Sequence, residues 1–420
     1  MHHIRLTTDM NKILSGTVVL DLTRFFSGPQ ATLILGAMGA EIIKIDDPKT
    51  GDPTAFSPPL AGPNGVSFHR QTEHDMGIAY LKRARGKKSI NLDLKSESGL
   101  AVFRTMVKAA DVVIDNFSVG VADRLGLDYK SLSALNPSII CCSLTGYGST
   151  GPDRTLKAYD LMVQAAVGLM SVTGQESDPP IKAGSPISDA IAGVFAANGI
   201  VAALLHRDRT GEGQSIDVSM ADCLFSLIFD EPFDCYEQLG IPQRQGNRIM
   251  RFSPFNSYQA LDGWVVLGAA TDADWQKLLQ VMDRMDLLDD PDMMCIAWRL
   301  RNNASVDAVV ASWTQELKTA EIVERMSKSN IPCSAVRSID DVMSWEQLRQ
   351  RDMVVPLWNP MAGSHVSASA PGFPIKFSAS PASYDTPAPL PGEHTGEVLS
   401  RLAGLSAEEI QYLTDQGTIR

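Results

Sequence analysis

Residues 16–45 read GTVVLDLTRFFSGPQATLILGAMGAEIIKI. Gly16 to Leu22 is a short apolar run, the pattern of a strand buried on both faces. Ser27 offers an N-cap and Pro29 suits the first helical position, so a helix runs through Ala37. Gly39 closes it, and Glu41 to Ile45 is the next strand. Strand, helix and strand at this spacing predict a right-handed crossover in a parallel sheet.

The same texture continues outward. Lys88 to Leu92 reads as a strand, Ser98 to Ala109 as a helix, and Asp111 to Ile114 and Ser138 to Leu144 as further strands. A helix rich in small residues runs from Asp189 to His206 and stops at the turn Thr210-Gly211-Glu212-Gly213. Gln214 to Met220 is another strand. The expectation is an α/β class with a parallel sheet covered on both faces. At 420 residues the chain exceeds one compact core, so two domains are expected. From Cys223 to Met343 methionine, tryptophan and acidic helical segments accumulate around an isolated strand, Trp264 to Leu267. That stretch reads as a smaller α+β domain. The expected division is 1–222, 223–343, and a return of 344–420 to the large domain. Ser367 to Pro391 reads as an extended strap, and Leu405 to Gln416 as a last helix.

Composition narrows the function. A net charge of −12 argues against nucleic acid as the main partner. The start, MHHIRLTTDMNKIL, lacks the apolar region of an export signal, and the longest near-apolar stretch, Ile191 to Leu205, is short for a membrane span. A cytoplasmic protein with no membrane partner is therefore expected, and that stretch is read as a buried core helix. Six cysteines without C-x-x-C or histidine spacing predict reduced thiols and no metal site.

Several motifs compete for a role. Gly146, Gly148 and Gly151 satisfy G-x-G-x-x-G, but Pro152 and Asp153 follow where a nucleotide-binding helix would open. A flexible turn beside a ligand is the better reading. Lys82 to Lys95 carries six cations against Asp93 alone, either a solvated edge or a phosphate cradle. Asp189 is either a helix N-cap or a carboxylate held ionised by the helix terminus and able to attack a thioester carbonyl. Ala190, Ala192 and Gly193 leave room beside it for a bulky substrate.

Taken together, LSGTVVLDLTRFFSGPQATLILGAMGAEIIKID, RGKKSINLDLK, DNFSVGVADRLGLDYKSLSALNPSIICCSLTGYGSTGP, RTGEGQSIDVSM, GFPIKFS and LPGEHTGEVL resemble the class III CoA-transferases, a group that includes the α-methylacyl-CoA racemases. The resemblance implies a Rossmann-like large domain, a smaller domain and an interlocked homodimer. It places the catalytic aspartate at Asp189. It implies coenzyme A contacts at Phe26 and Ser27, at Leu92, Asp93, Leu94 and Lys95, at Asn116, Phe117, Ser118 and Arg124, and at Lys157, Ala158, Tyr159 and Asp160. Lys95, Arg124 and Lys157 suit its phosphates. The resemblance further implies no tightly bound cofactor, with an acyl-CoA and a small carboxylic acid as substrates.

Two departures bear on the reaction. Where the racemases have a G-H-D triplet this chain has Ala158-Tyr159-Asp160, and tyrosine is a poor base at neutral pH. That favours CoA transfer over a racemase; a non-catalytic acyl-CoA-binding protein is the other alternative. Residues 246–258 lack the glycine run of formyl-CoA transferase, and Asp47 stands where that enzyme has arginine, which disfavours formyl-CoA:oxalate exchange. Arg251, Phe252, Phe255 and Tyr258 are expected near the acyl group, by position alone.

Overall fold

The computed structural model describes residues 12–384 and 386–420, so most of the chain start read above for an export signal lies outside it. The described chain divides into two compact units. The first takes the chain up to Leu169, Ala183–Glu231 and Glu346–Arg420; the second takes Met170–Lys182 and Pro232–Trp345.

The first unit is built on β1 (Val18–Asp21), β2 (Glu41–Asp46), β3 (Lys88–Asn91), β4 (Val112–Asp115), β5 (Ile140–Thr145) and β6 (Ser215–Ser219). Hydrogen bonding sets them in the order β3-β2-β1-β4-β5-β6, every pair parallel. This is the doubly wound order, and the chain reverses direction across the sheet between β1 and β4. Alternation explains why the strands read as unbroken apolar runs. Val19, Ile42, Val112, Ile114, Ile140 and Cys142 face one core with α1 (Ser27–Ala37). Val18, Leu20, Ile43, Ile45 and Val113 face the other with α3 (Glu97–Val107), whose Phe103 and Met106 are fully buried. Between these helices in the chain lies the short α2 (Ile78–Arg83).

The site depends on α4 (Asp160–Ala166) and α5 (Ile187–Thr210). Gly211 ends α5 at φ 81°, a left-handed conformation that glycine adopts without strain, and its N–H returns to the Arg207 carbonyl at 2.7 Å. Ala192, Gly193, Ala196, Ala197 and Ile200 form the buried stripe of α5, whereas Val194, Phe195 and Leu205 are exposed. The segment expected as a buried core helix is thus buried along one stripe and exposed on the other side. The helix α6 (Met220–Ile228) belongs to the first unit, so the main segment of the second begins at Pro232, after the change of composition at Cys223, while Met170–Lys182 joins it from within the stretch expected as 1–222.

The second unit has an antiparallel sheet of β7 (Phe255–Gln259), β8 (Trp264–Gly268) and β9 (Cys333–Ala335), covered by helices that include α7 (Asp272–Val281). The strand expected to stand alone is thus the middle of three. Its second partner is three residues long and 65 or more positions away, too short to signal itself by alternation. In the return segment β10 (Val354–Asn359) pairs with β11 (Ser364–Pro371), which places part of the expected strap in a hairpin. Residues 372–384 and 386–391 are without regular structure, and α8 (Ala407–Asp415) follows.

Candidate active site

The carboxyl ends of β1 and β2 carry a buried charge network that shapes the first turn of the site. Asp21 accepts from the Thr23 N–H at 2.9 Å and hydroxyl at 2.5 Å, from the Thr32 hydroxyl at 2.6 Å, and from the Lys87 ammonium at 3.0 Å. Lys44 pairs with Asp46 at 3.1 Å and Asp52 at 2.8 Å. Burial pushes the Asp21 carboxyl up, but Lys87 and Lys44 outweigh it and hold the group below its usual range. These contacts pin the turn from β1 into α1. The backbone there is strained: Phe25 sits at φ 69°, a conformation a bulky side chain rarely adopts.

This network corrects the reading of Lys82 to Lys95 as a phosphate cradle. Lys87 is fully buried against Asp21. Arg85 donates to the Pro371 carbonyl at 3.0 Å and stacks on Tyr384. Lys88 pairs with Glu41 and Glu397, and Lys95 with Asp47 at 3.2 Å. The cations of one sequence run end in separate places.

A cavity of about 360 Å³ opens where β1, β4 and β5 end, at the reversal of strand order. Open parallel sheets bind ligands at that place, because successive turns diverge there and leave a crevice. Phe25 and Ser27 after β1, Asn116, Phe117 and Ser118 after β4, and Thr145 and Gly146 after β5 form its walls. Lys157, Ala158 and Tyr159 close another side, and Asp189 reaches it from the first turn of α5. Phe25 and Tyr159 meet edge to face with centroids 6.3 Å apart. Gly146 thus takes part as a turn at the cavity; no helix opens after Gly151.

Asp189 is not an N-cap. The N-cap is Pro186, and Asp189 is the third helical residue. The capping carboxylate is Asp160, which accepts from the Ser188 N–H at 2.8 Å, the Ser188 hydroxyl at 2.7 Å and the Asp189 N–H at 3.4 Å. Gln164 donates to the same group at 2.6 Å. The helix terminus therefore serves Asp160, and the expectation that it holds Asp189 ionised is corrected. Burial, and next the charge of Asp160, push the Asp189 carboxyl up to about 6, against hydrogen bonds from Ser27 and the charge of Arg83. A carboxylate of that kind is ionised at neutral pH yet more basic than one in water.

The room expected beside Asp189 is partly taken. A Cβ on Gly193 would lie 2.7 Å from the Ser27 carbonyl oxygen, so the glycine serves the close approach of α5 to α1. Ala192 is wholly buried in the core.

The remaining sequence-predicted residues are spread over several places. Leu92, Leu94 and Lys95 line a second cavity of about 150 Å³, together with Phe117, which also walls the first. Arg124 is exposed on the short helix Val121–Leu125. Phe26 is the N-cap residue of α1 and lies beneath the Arg83 guanidinium. Asp93 accepts the Lys95 N–H at 2.9 Å. Asn116 clasps the Arg24 backbone, accepting at 3.0 Å and donating at 2.8 Å, so it joins the exits of β1 and β4. Phe25, Arg154, Thr145 and Met220 line the main cavity, and Arg24 the second; sequence reasoning missed all five. Arg24 and Phe25 stand beside Phe26 and Ser27, and Thr145 beside Gly146, so the sequence carries a positional signal for these three. In the second unit Tyr258 is buried, donating to Asp307 at 2.7 Å, which corrects its expected place beside an acyl group.

Known proteins resemble the chain over nearly its whole length. The family CoA-transferase family III matches residues 14–395. The succinate–glutarate CoA-transferase of Agrobacterium fabrum is 32% identical over 93% of this chain and 95% of its own. The succinyl-CoA:mesaconate CoA-transferase of Haloarcula hispanica is 33% identical over 91% of this chain and 94% of its own. The crystal structure of a CAIB/BAIF family protein from Brucella suis superposes with a TM-score of 0.80 at 30% identity, covering 94% of this chain and all of that one.

Proposed function

We propose that this chain, which belongs to CoA-transferase family III, passes CoA from an acyl-CoA to a free carboxylic acid through covalent intermediates on Asp189. The observation that carries the reading is the Asp189 carboxyl at the wall of the switch-point cavity, with Ser27 donating to it and its basicity raised.

Asp189 attacks the thioester carbonyl; the C–S bond breaks, giving a mixed anhydride and CoA thiolate. The thiolate attacks the aspartyl carbonyl and expels the first acid, leaving an aspartyl-CoA thioester. The acceptor carboxylate attacks that thioester and makes a second anhydride, releasing the thiolate again. Attack of the thiolate on the acceptor-derived carbonyl yields the new acyl-CoA and restores the Asp189 carboxylate. No net proton is consumed. Each step develops negative charge on a carbonyl oxygen. The Ser27 N–H and hydroxyl and the Tyr159 phenol are the donors that would meet it. The cavity wall would keep water from the anhydrides.

Ser27, Asn116, Phe117, Ser118, Lys157, Ala158 and Tyr159 on one cavity, and Leu92, Leu94 and Lys95 on the other, support a long ligand such as CoA bound across Phe117. Phe26, Asp93, Arg124 and Asp160 belong to the same proposed CoA site. Dicarboxylic acids in the relatives' names favour a dicarboxylate such as succinate as one substrate. An interlocked homodimer belongs to the same proposal.

The test is chemical trapping. Hydroxylamine added after acyl-CoA should convert Asp189, and no other side chain, to a hydroxamate visible by peptide mass spectrometry. Exchange of labelled acid into thioester with Asp189 never modified refutes the mechanism. A racemase would instead exchange the α-proton without any acceptor acid.

A further inference from the structure

We infer that Arg83 selects the acid: it receives the carboxylate that does not react when a dicarboxylic acid, or its CoA thioester, enters beside Asp189. The inference rests on the transferase reading and extends it to the substrate class.

Arg83 ends α2 and is half-buried. Its guanidinium lies 4.7 Å from the centroid of the Phe26 ring, next to Ser27, and its Nε donates to the Ala79 carbonyl at 3.1 Å. Among the described residues no acid forms an ion pair with it, nor with Lys82 or Arg85 of the same run, whereas Lys87 and Lys95 pair with one acid each and Lys88 with two. Of the three unpaired cations Arg83 is the one whose charge and that of Asp189 act on each other. Phe25 walls both the main cavity and the narrow cleft that Arg83 lines with Asp52 and Thr54. Phe25 thus borders both the cavity that holds Asp189 and the cleft that holds Arg83; Asp52 first and Asp189 next act on the charge of Arg83, and Arg83 acts on that of Asp189.

A guanidinium held partly out of water, with no carboxylate in ion-pair contact and only the more distant charges of Asp52 and Asp189 to offset its burial, gains from a ligand that completes it. Its planar fork matches a carboxylate through two parallel hydrogen bonds. A monocarboxylic acyl chain of the same length would bring a methyl group to that fork and leave the charge unmatched, which discriminates against it. Arg154 and Lys157 also border the main cavity, but both are exposed, where water screens the attraction. They suit phosphates at the mouth better than a small acid within.

The experiment sets succinate and butanoate in competition for CoA in one reaction of the full-length enzyme, the two thioester products being counted by mass spectrometry. The ratio reports relative kcat/KM and is unaffected by any fraction of inactive protein. The wild type is expected to favour succinate. Arg83→Leu should lower that preference about 100-fold, chiefly through the KM for succinate, and Arg83→Lys should recover part of it. An unchanged ratio in Arg83→Leu overturns the inference, as does a wild type that prefers butanoate; both leave the transferase reading standing. A wild type that forms thioester from no acid, with any acyl-CoA, overturns that reading and this inference with it.

Discussion

Replacing Asp189 by Asn should abolish turnover and at the same time make the first unit more stable. The carboxyl is pushed from 3.8 up to about 6, mostly by burial and by Asp160. A tenfold change in proton affinity corresponds to about 1.4 kcal/mol, so full ionisation within the fold costs at most about 3 kcal/mol. The group is partly open to solvent, which reduces this to about 2 kcal/mol. The direction with pH follows. Below the unfolded value both states hold a neutral carboxyl and the penalty is absent. As pH rises from about 4 to 6 the unfolded chain ionises freely while the folded chain resists, so the wild type loses stability. Above that window the loss is constant. Asparagine keeps the shape and still accepts from Ser27, without the charge. Calorimetry on both proteins should therefore show the variant melting higher at pH 8, with about half the gain remaining at pH 5. A variant no more stable at pH 8, or a gain that does not shrink on acidification, refutes the assignment of a strained carboxylate.

Other perturbations test the surrounding structure. The wild-type kcat/KM should fall about tenfold per pH unit below about 6, and Asp160→Asn should move that limb to lower pH by removing a like charge, as steady-state profiles would show. Lys87→Met leaves Asp21 buried without its cation and should cost about 3–5 kcal/mol in thermal or denaturant unfolding, most of it recovered when Asp21→Asn is added. Gly193→Ala forces α5 away from the Ser27 carbonyl; turnover should drop about 100-fold, with the circular dichroism spectrum retained. Arg83→Leu has its own competition assay above.

The sheet is readable because a strand buried on both faces is a largely continuous apolar run, as at 18–21, 112–115 and 140–145; at 41–46 the apolar Ile42, Ile43 and Ile45 carry the signal between charged Glu41, Lys44 and Asp46. Helix ends are less so. Ser27 resembles an N-cap by its neighbours, yet Phe26 precedes the helix and Ser27 turns toward Asp189, a partner more than 160 positions away. Asp160 caps α5 from 28 positions upstream, and no local pattern announces it. The basic run is visible as a run, but the fates of Lys87 and Arg83 diverge because only the folded chain brings Asp21 to one and Phe26 to the other. Charge is legible in sequence, whereas pairing is a property of three dimensions.

The left-handed backbone at Phe25 has a consequence for anyone who engineers this enzyme. Glycine or asparagine at that position would relax the turn, so a laboratory selection for heat resistance alone would be drawn toward them. The same exchange removes the ring that borders both the cavity at Asp189 and the cleft at Arg83. Hardier clones carrying it should accept a broader set of acids and turn each over more slowly, which makes this codon a place to hold constant while the remainder is diversified.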